Sequence, residues 1–146
     1  MNELFAIYDK IKSNGYKLTN HRKEIIRVLM DNNEYLLEAS DIYQKLIRVN
    51  KEINFSTVYR NIEMLTKIGI IKKNNLENGK SAYQLVIGEK HGHQLICKAC
   101  GKVKTINDCP FEKIDKKVFD RNDFIPDSHK FEIYGFCIKC LDKRCK

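Results

Sequence analysis

No stretch of this 146-residue sequence approaches the roughly 18 uninterrupted apolar residues of a membrane-spanning helix, so no such span is expected. The opening segment MNELFAIYDKIKSNGYK lacks an apolar run of secretory length and carries charges throughout, so no signal peptide is expected either. A cytoplasmic location follows as the expectation, and there paired cysteines hold metal more often than they form disulfides. Also missing is the H-x-E…P-C-x-x-C signature of zinc deaminases. A catalytic zinc needs an open coordination position with a general acid or base beside it. The chain is therefore read as a non-enzyme.

Acidic residues are fewer than basic ones, 19 against 27, and the resulting net charge of +8 points to a polyanionic partner. The length suits one or two small domains. Three helical patterns follow one another between residues 20 and 68. Ile25, Val28 and Leu29 share a face, with Asn20 as cap; Ile42, Tyr43, Leu46 and Ile47 follow Ala39 or Ser40; Val58, Ile62 and Leu65 align in the segment from Asn54 to Gly69. The period then shortens to that of strands, over 69–73 and 81–86, around an Asn78-Gly79 hairpin signal. Three helices and a β-hairpin make a winged helix-turn-helix.

In that layout the third pattern is the recognition helix, whose N-terminal turns meet base edges. Ser56, Thr57, Tyr59 and Arg60 offer hydroxyls, a ring for thymine methyls and a fork for guanine. Lys17 and Arg22 flank the entry to the first helix, where they could reach a minor groove and a phosphate. An ordinary amphipathic surface helix and solvated junction residues are the plainer alternatives.

The second half is organised by metal ligands. Cys97-x-x-Cys100 and Cys137-x-x-Cys140 are two knuckles, with 36 residues between the inner cysteines. Such pairs complete a thiolate tetrahedron, for which zinc is preferred and iron the alternative. Cys109, before Pro110, and Cys145, in the charged tail, are expected to be bystanders. If 91–97 is a strand, His91 and His93 share a face, with Gly92 and Gln94 on the other. Glu112, in the first turn of a helix with apolar face Phe111, Ile114 and Val118, and His129, before the strand 131–134, could complete a second site. Zinc suits that set, and Fe2+ or Mn2+ would be tolerated. The alternative is a pair of solvated histidines in a polar turn.

Taken together, S-T-V-Y-R at 56–60, H-x-H-x-L-I-C-x-x-C-G-K-V at 91–103 and H-x-x-E-I-Y-G-x-C-x-x-C at 129–140 resemble the ferric uptake regulator (Fur) family of bacterial metal-dependent repressors. The likeness runs from about residue 10 to 142. Within the family, GYKLTNHR and Cys109-Pro110 look most similar to the zinc uptake regulators (Zur) of Gram-positive bacteria. The resemblance implies an α+β chain: a winged-helix DNA-binding domain over 1–87, a hinge at about 86–90, and a small α/β dimerisation domain over 88–146. It further implies a homodimer on a palindromic double-stranded DNA operator. Lys17, Arg22, Thr57, Tyr59 and Arg60 fall on positions associated with DNA contact, and Cys97, Cys100, Cys137 and Cys140 on the structural zinc. His91, His93, Glu112 and His129 fall on one of two further metal sites, in the dimerisation domain.

One departure from the family stands out. The hinge site usually treated as the sensor would draw on positions that here hold Leu36, Gln84 or Val86, Gly92, Gln94 and Thr105. None is a good ligand for zinc or iron, so the histidine-rich site is expected to be the remaining switch. The alternatives are a regulator answering to iron or peroxide, one without a hinge sensor or with unexpected hinge ligands such as Glu89, and a zinc-stabilised module that binds nucleic acid without sequence preference.

Overall fold

The computed structural model describes residues 2–87 and 92–143. The chain divides into two compact units, 1–88 and 89–146.

In the first unit, helices α1 (Asn2–Ser13), α2 (Asn20–Asp31), α3 (Ala39–Ile47) and α4 (Phe55–Lys67) precede a hairpin of β1 (Ile71–Asn75) and β2 (Ser81–Leu85). One helix precedes the three expected: α1 sends Ile7 and Ile11 into the core, with Leu4 and Tyr8 packed against it. These four positions have helical spacing. Helix α2 is capped by Thr19, whose hydroxyl accepts from the Arg22 amide at 3.3 Å, so Asn20 is its first residue and not its cap. Helix α3 begins at Ala39, so that the residue before it is Glu38 and neither Ala39 nor Ser40; the Glu38 amide donates to the Asp41 carboxylate at 3.0 Å.

Helix α4 follows the expected pattern. The Asn54 side chain accepts from the Thr57 amide at 2.9 Å, and Val58, Ile62 and Leu65 are fully buried. At its C-terminus the Ile70 amide donates to the Leu65 carbonyl at 2.9 Å and the Gly69 amide to that of Thr66 at 3.1 Å. That paired closure needs a left-handed residue, and Gly69 supplies it with φ +81°. The hairpin pairs antiparallel from Ile71 opposite Leu85 to Asn75 opposite Ser81. Leu37 adds a bridge to Tyr83, with amide–carbonyl distances of 3.1 and 2.7 Å, tying the α2–α3 connection to the wing. Residues from all six elements meet in one core cluster.

The second unit is a three-stranded sheet in the order β4-β3-β5, where β3 is His93–Cys97, β4 Val103–Ile106 and β5 Glu132–Gly135. Strand β4 pairs antiparallel with β3, and β5 pairs parallel with it. Between β4 and β5 the expected helix from Pro110 is broken. Pro110–Lys113 forms a single 3-10 turn, Ile114 is extended at φ −77° and ψ 134°, and α5 spans only Lys117–Arg121. Ile114 and Val118 are consequently exposed instead of lining an apolar face with Phe111. A short helix α6 (Ile138–Leu141) follows β5.

Candidate metal centres and nucleic-acid interface

The parallel pairing of β3 with β5 assembles the cysteine cluster. Cys97 ends β3 opposite Gly135, and the Lys98 amide donates to the Gly135 carbonyl at 2.8 Å. Both strands therefore run toward the same end, where Cys97 and Cys100 meet Cys137 and Cys140. The first knuckle turns through Gly101 at φ +76°, whose amide returns to the Cys97 carbonyl at 3.0 Å. The second is the N-terminus of α6, with the Cys140 amide 3.0 Å from the Cys137 carbonyl. All four sulfurs lie within 4.8 Å of one another, and Cys100 Sγ is 4.0 Å from Cys137 Sγ. Zinc–sulfur bonds of about 2.3 Å give tetrahedral edges near 3.8 Å, so the set fits a zinc ion. Burial pushes the Cys97 thiol up, but amides of Cys137, Cys100 and Ala99 and the Cys100 side chain outweigh it and bring it down to about 6. Cys97 thus favours the ligating thiolate at neutral pH.

At the other end of the same strands a second group converges. His93 opens β3 and is buried, and His129 precedes β5 and is exposed. Between them lies Cys109, its Sγ 3.3 Å from Nε2 of each histidine. The bystander expected from the sequence is therefore at the centre of this cluster. His129 stacks on Phe111 with ring centroids 4.5 Å apart and planes 3° from parallel, and His93 meets Phe131 edge-on at 5.9 Å. Glu112 is exposed and does not belong to the converging set. His91, Glu89 and Cys145 lie outside the described residues.

Three of the hinge positions, Gly92, Gln94 and Thr105, come together beside the β3–β4 pair. A Cβ at Gly92 would come within 2.6 Å of the Thr105 Cγ2 methyl. Gln94 is buried, paired across the sheet with Thr105 on one side and Glu132 on the other.

On the first unit, Ser56, Tyr59 and Arg60 are exposed on α4 and Thr57 is half-buried. Tyr59 stacks beside Phe55 at 6.2 Å, and Phe55 meets Tyr43 of α3 edge-on at 5.6 Å, an aromatic row at the start of the helix. Arg22 is more constrained than a free phosphate clamp. Its Nε donates to Asn61 Oδ1 at 3.0 Å, its Nη1 donates to the Lys17 carbonyl, and its guanidinium lies 5.6 Å from the Tyr16 ring centre. It joins the segment before α2 to α4. Behind α4, the Tyr83 hydroxyl donates to Glu63 at 3.3 Å; burial, then the nearby Glu63 carboxylate and Tyr59, push that phenol up to about 12.

A winged helix followed in the same chain by a four-thiolate centre is the combination implied by the resemblance. The model of the ferric uptake regulator family matches residues 13–134. The chain belongs to the ferric uptake regulator family. Members of this family are metal-responsive transcriptional regulators and not enzymes. The ferric uptake regulation protein of Bordetella parapertussis is 35% identical over 135 residues, covering 92% of this chain and 96% of its own. Among solved structures, the ferric uptake regulator of Vibrio cholerae superposes with a TM-score of 0.70 at 31% identity, covering 87% of this chain and 96% of that one. That of Helicobacter pylori, described as having three functional metal-binding sites, reaches 0.75 at 25% identity, covering 94% and 93%. Among the described residues of this Fur-family chain, two groups of ligand atoms converge, the four cysteines and His93-Cys109-His129. No helix of the described residues is long and apolar enough to cross a membrane.

Proposed function

We propose that this protein is a zinc-responsive repressor of metal-uptake or metal-homeostasis genes, Zur-like in specificity, acting as a cytoplasmic homodimer on a palindromic operator. The observation that carries the reading is the convergence of His93 and His129 in a unit whose four cysteines already form a separate site. In this reading the four cysteines hold structural zinc, and His93 and His129 are the base of the switch, with His91 and Glu112 as further ligands. Ligation would hold the start of β3 against the segments before and after the 3-10 turn. Any ion that favours that arrangement shifts the population of the dimer toward the DNA-competent form.

Dimerisation through the second unit is supported by its exposed apolar side chains, Phe124, Ile125, Ile133, Phe136, Ile138 and Leu141, and by β5 being an edge strand. On the first unit Ser56, Thr57, Tyr59 and Arg60 would read bases. Lys17 would reach a groove or phosphate, and Arg22 would set the angle of α4 while offering its remaining N–H groups to the backbone. The ferric names of the relatives favour a second reading, in which Fe2+ or Mn2+ occupies the switch.

The deciding experiment is operator binding by the wild type and by the His91→Ala/His129→Ala double variant across zinc, iron and manganese titrations. Zinc-dependent binding, lost in the variant, is expected; identical curves would remove the histidine site from the switch. A repressor should prefer its palindrome over unrelated DNA by about a thousandfold or more. Equal affinity for all sequences, steep in salt, would mark a non-specific module.

A further inference from the structure

We propose that Cys109 is itself a metal ligand, so that the switch is a mixed site of two imidazoles and one thiolate built for zinc. The proposal rests on the reading of the histidine site as metal-binding and adds to it a donor of different chemistry. Three separate segments converge: the start of β3 with His93, the residue before the 3-10 turn with Cys109, and the approach to β5 with His129. Both histidines present the same atom, Nε2, to the one sulfur, each at 3.3 Å. With zinc–nitrogen bonds of about 2.0–2.1 Å and zinc–sulfur bonds of about 2.3 Å, a nitrogen–sulfur edge of a tetrahedron measures about 3.5 Å. Hydrogen bonding accounts for the geometry less well. A thiol has one proton, so one imidazole would accept it and the other would have to donate to a sulfur, a weak acceptor.

The three donors are also held in place. Cys109 has an extended backbone at φ −102° and ψ 110°, Pro110 fixes the next residue, and the Glu112 amide closes the turn on the Cys109 carbonyl at 3.3 Å. Phe111 holds the His129 ring face to face, and His93 is only 3% exposed. A soft thiolate moves preference toward zinc and away from manganese, which favours oxygen ligands. A tetrahedral ion would leave one further position for another donor.

The test uses full-length protein with zinc retained in the four-cysteine site, verified by metal analysis, and Co2+ titrated as the probe. The expected result is a sulfur-to-cobalt charge-transfer band in the wild type that disappears in Cys109→Ser. Zinc affinity of that variant should fall by more than the roughly 10–100-fold that losing a hydrogen-bond partner behind a ligand costs. Cys109→Asp, which keeps an anionic donor, should bind zinc without the band and gain relative affinity for manganese. Tetrahedral cobalt without a thiolate band, together with wild-type zinc affinity in Cys109→Ser, would overturn the assignment of Cys109. Loss of binding in His129→Ala under those conditions would leave the histidine switch standing. Failure of the wild type to take up a second metal would overturn both.

Discussion

Removing the ion from the four-cysteine site should unfold the second unit and leave the first one folded. Among the described residues of the second unit, the aliphatic side chains that reach burial are Ile96 and Val103. Together they contribute about 3–6 kcal/mol from burial. A structural zinc contributes about 10–16 kcal/mol at neutral pH, and closing a loop of the length between the two knuckles is by itself worth about 4 kcal/mol. The ion thus outweighs those two side chains by a factor of about two or more. The first unit has a core cluster of sixteen buried residues, all between Ile7 and Leu85, and owes nothing to the cysteines. The assay is amide hydrogen exchange by mass spectrometry on the zinc-loaded protein, on protein stripped with a strong chelator, and on Cys140→Ser. Amides of β3, β4 and β5 should lose protection in the last two samples, while those of α2, α4 and β2 keep it. Retained protection in β3–β5 with no metal bound would refute the reasoning. So would loss of protection in α4.

Three further outcomes follow from the same packing and chemistry. Ile62→Ala removes a fully buried side chain from α4 and should cost the first unit about 2–5 kcal/mol in urea unfolding, with the metal content of the second unit unchanged. Tyr83, raised from 10.0 to about 12 in the folded state, holds its proton more tightly there than in the unfolded chain, so its contribution to stability is full below pH 10 and is lost as pH rises through 12. In an absorbance titration of the seven tyrosines, one should ionise well after the rest and vanish from the curve in Tyr83→Phe; a single step near 10 would count against the buried contact with Glu63. Arg60→Ala should weaken operator binding by about 1–3 kcal/mol and relax the preference at one base pair, read by competition against single-base operator variants. A uniform loss across all sequences would instead make Arg60 a backbone contact.

The elements most legible in the sequence are those where a period and a stop signal coincide. Helix α4 shows its buried stripe at 58, 62 and 65 and its end at Gly69, and both reappear in the fold. The cysteine cluster is legible because two residues between cysteines restrict both sulfurs to one ion. Helix α1 carries an equally regular stripe at 4, 7, 8 and 11, but its charges and its place at the start of the chain draw attention to targeting before packing. The Leu37–Tyr83 bridge has no period to detect, since one residue on one side makes the pair. Cys109 is illegible for a different reason. Its partners His93 and His129 lie 16 and 20 residues away in other segments, and no period or knuckle spacing in the sequence links the three. Glu112 keeps its expected place in the first turn after Pro110, while the break at Ile114 removes the apolar face expected beyond it.

The parallel contact between β3 and β5 makes the two metal-ligand groups the opposite ends of one gauge. His93 and Cys97 stand at the two ends of β3, four residue steps or about 13 Å apart, and His129 and Cys137 lie at corresponding ends of the adjoining chain. An ion held by the cysteines would set the alignment of β5 along β3, and with it the spot to which His129 is delivered. A slip of one residue would displace that histidine by about 3.3 Å and turn the strand's side chains to the other face. Coordination tolerates only about 0.2 Å. A thiolate clasp would therefore calibrate the site at the far end as well as stabilising its own. A single residue inserted between positions 130 and 136 should blind the histidine cluster to metal while leaving the cysteine centre loaded, whereas a residue added in the largely exposed stretch from 122 to 128 should leave both working.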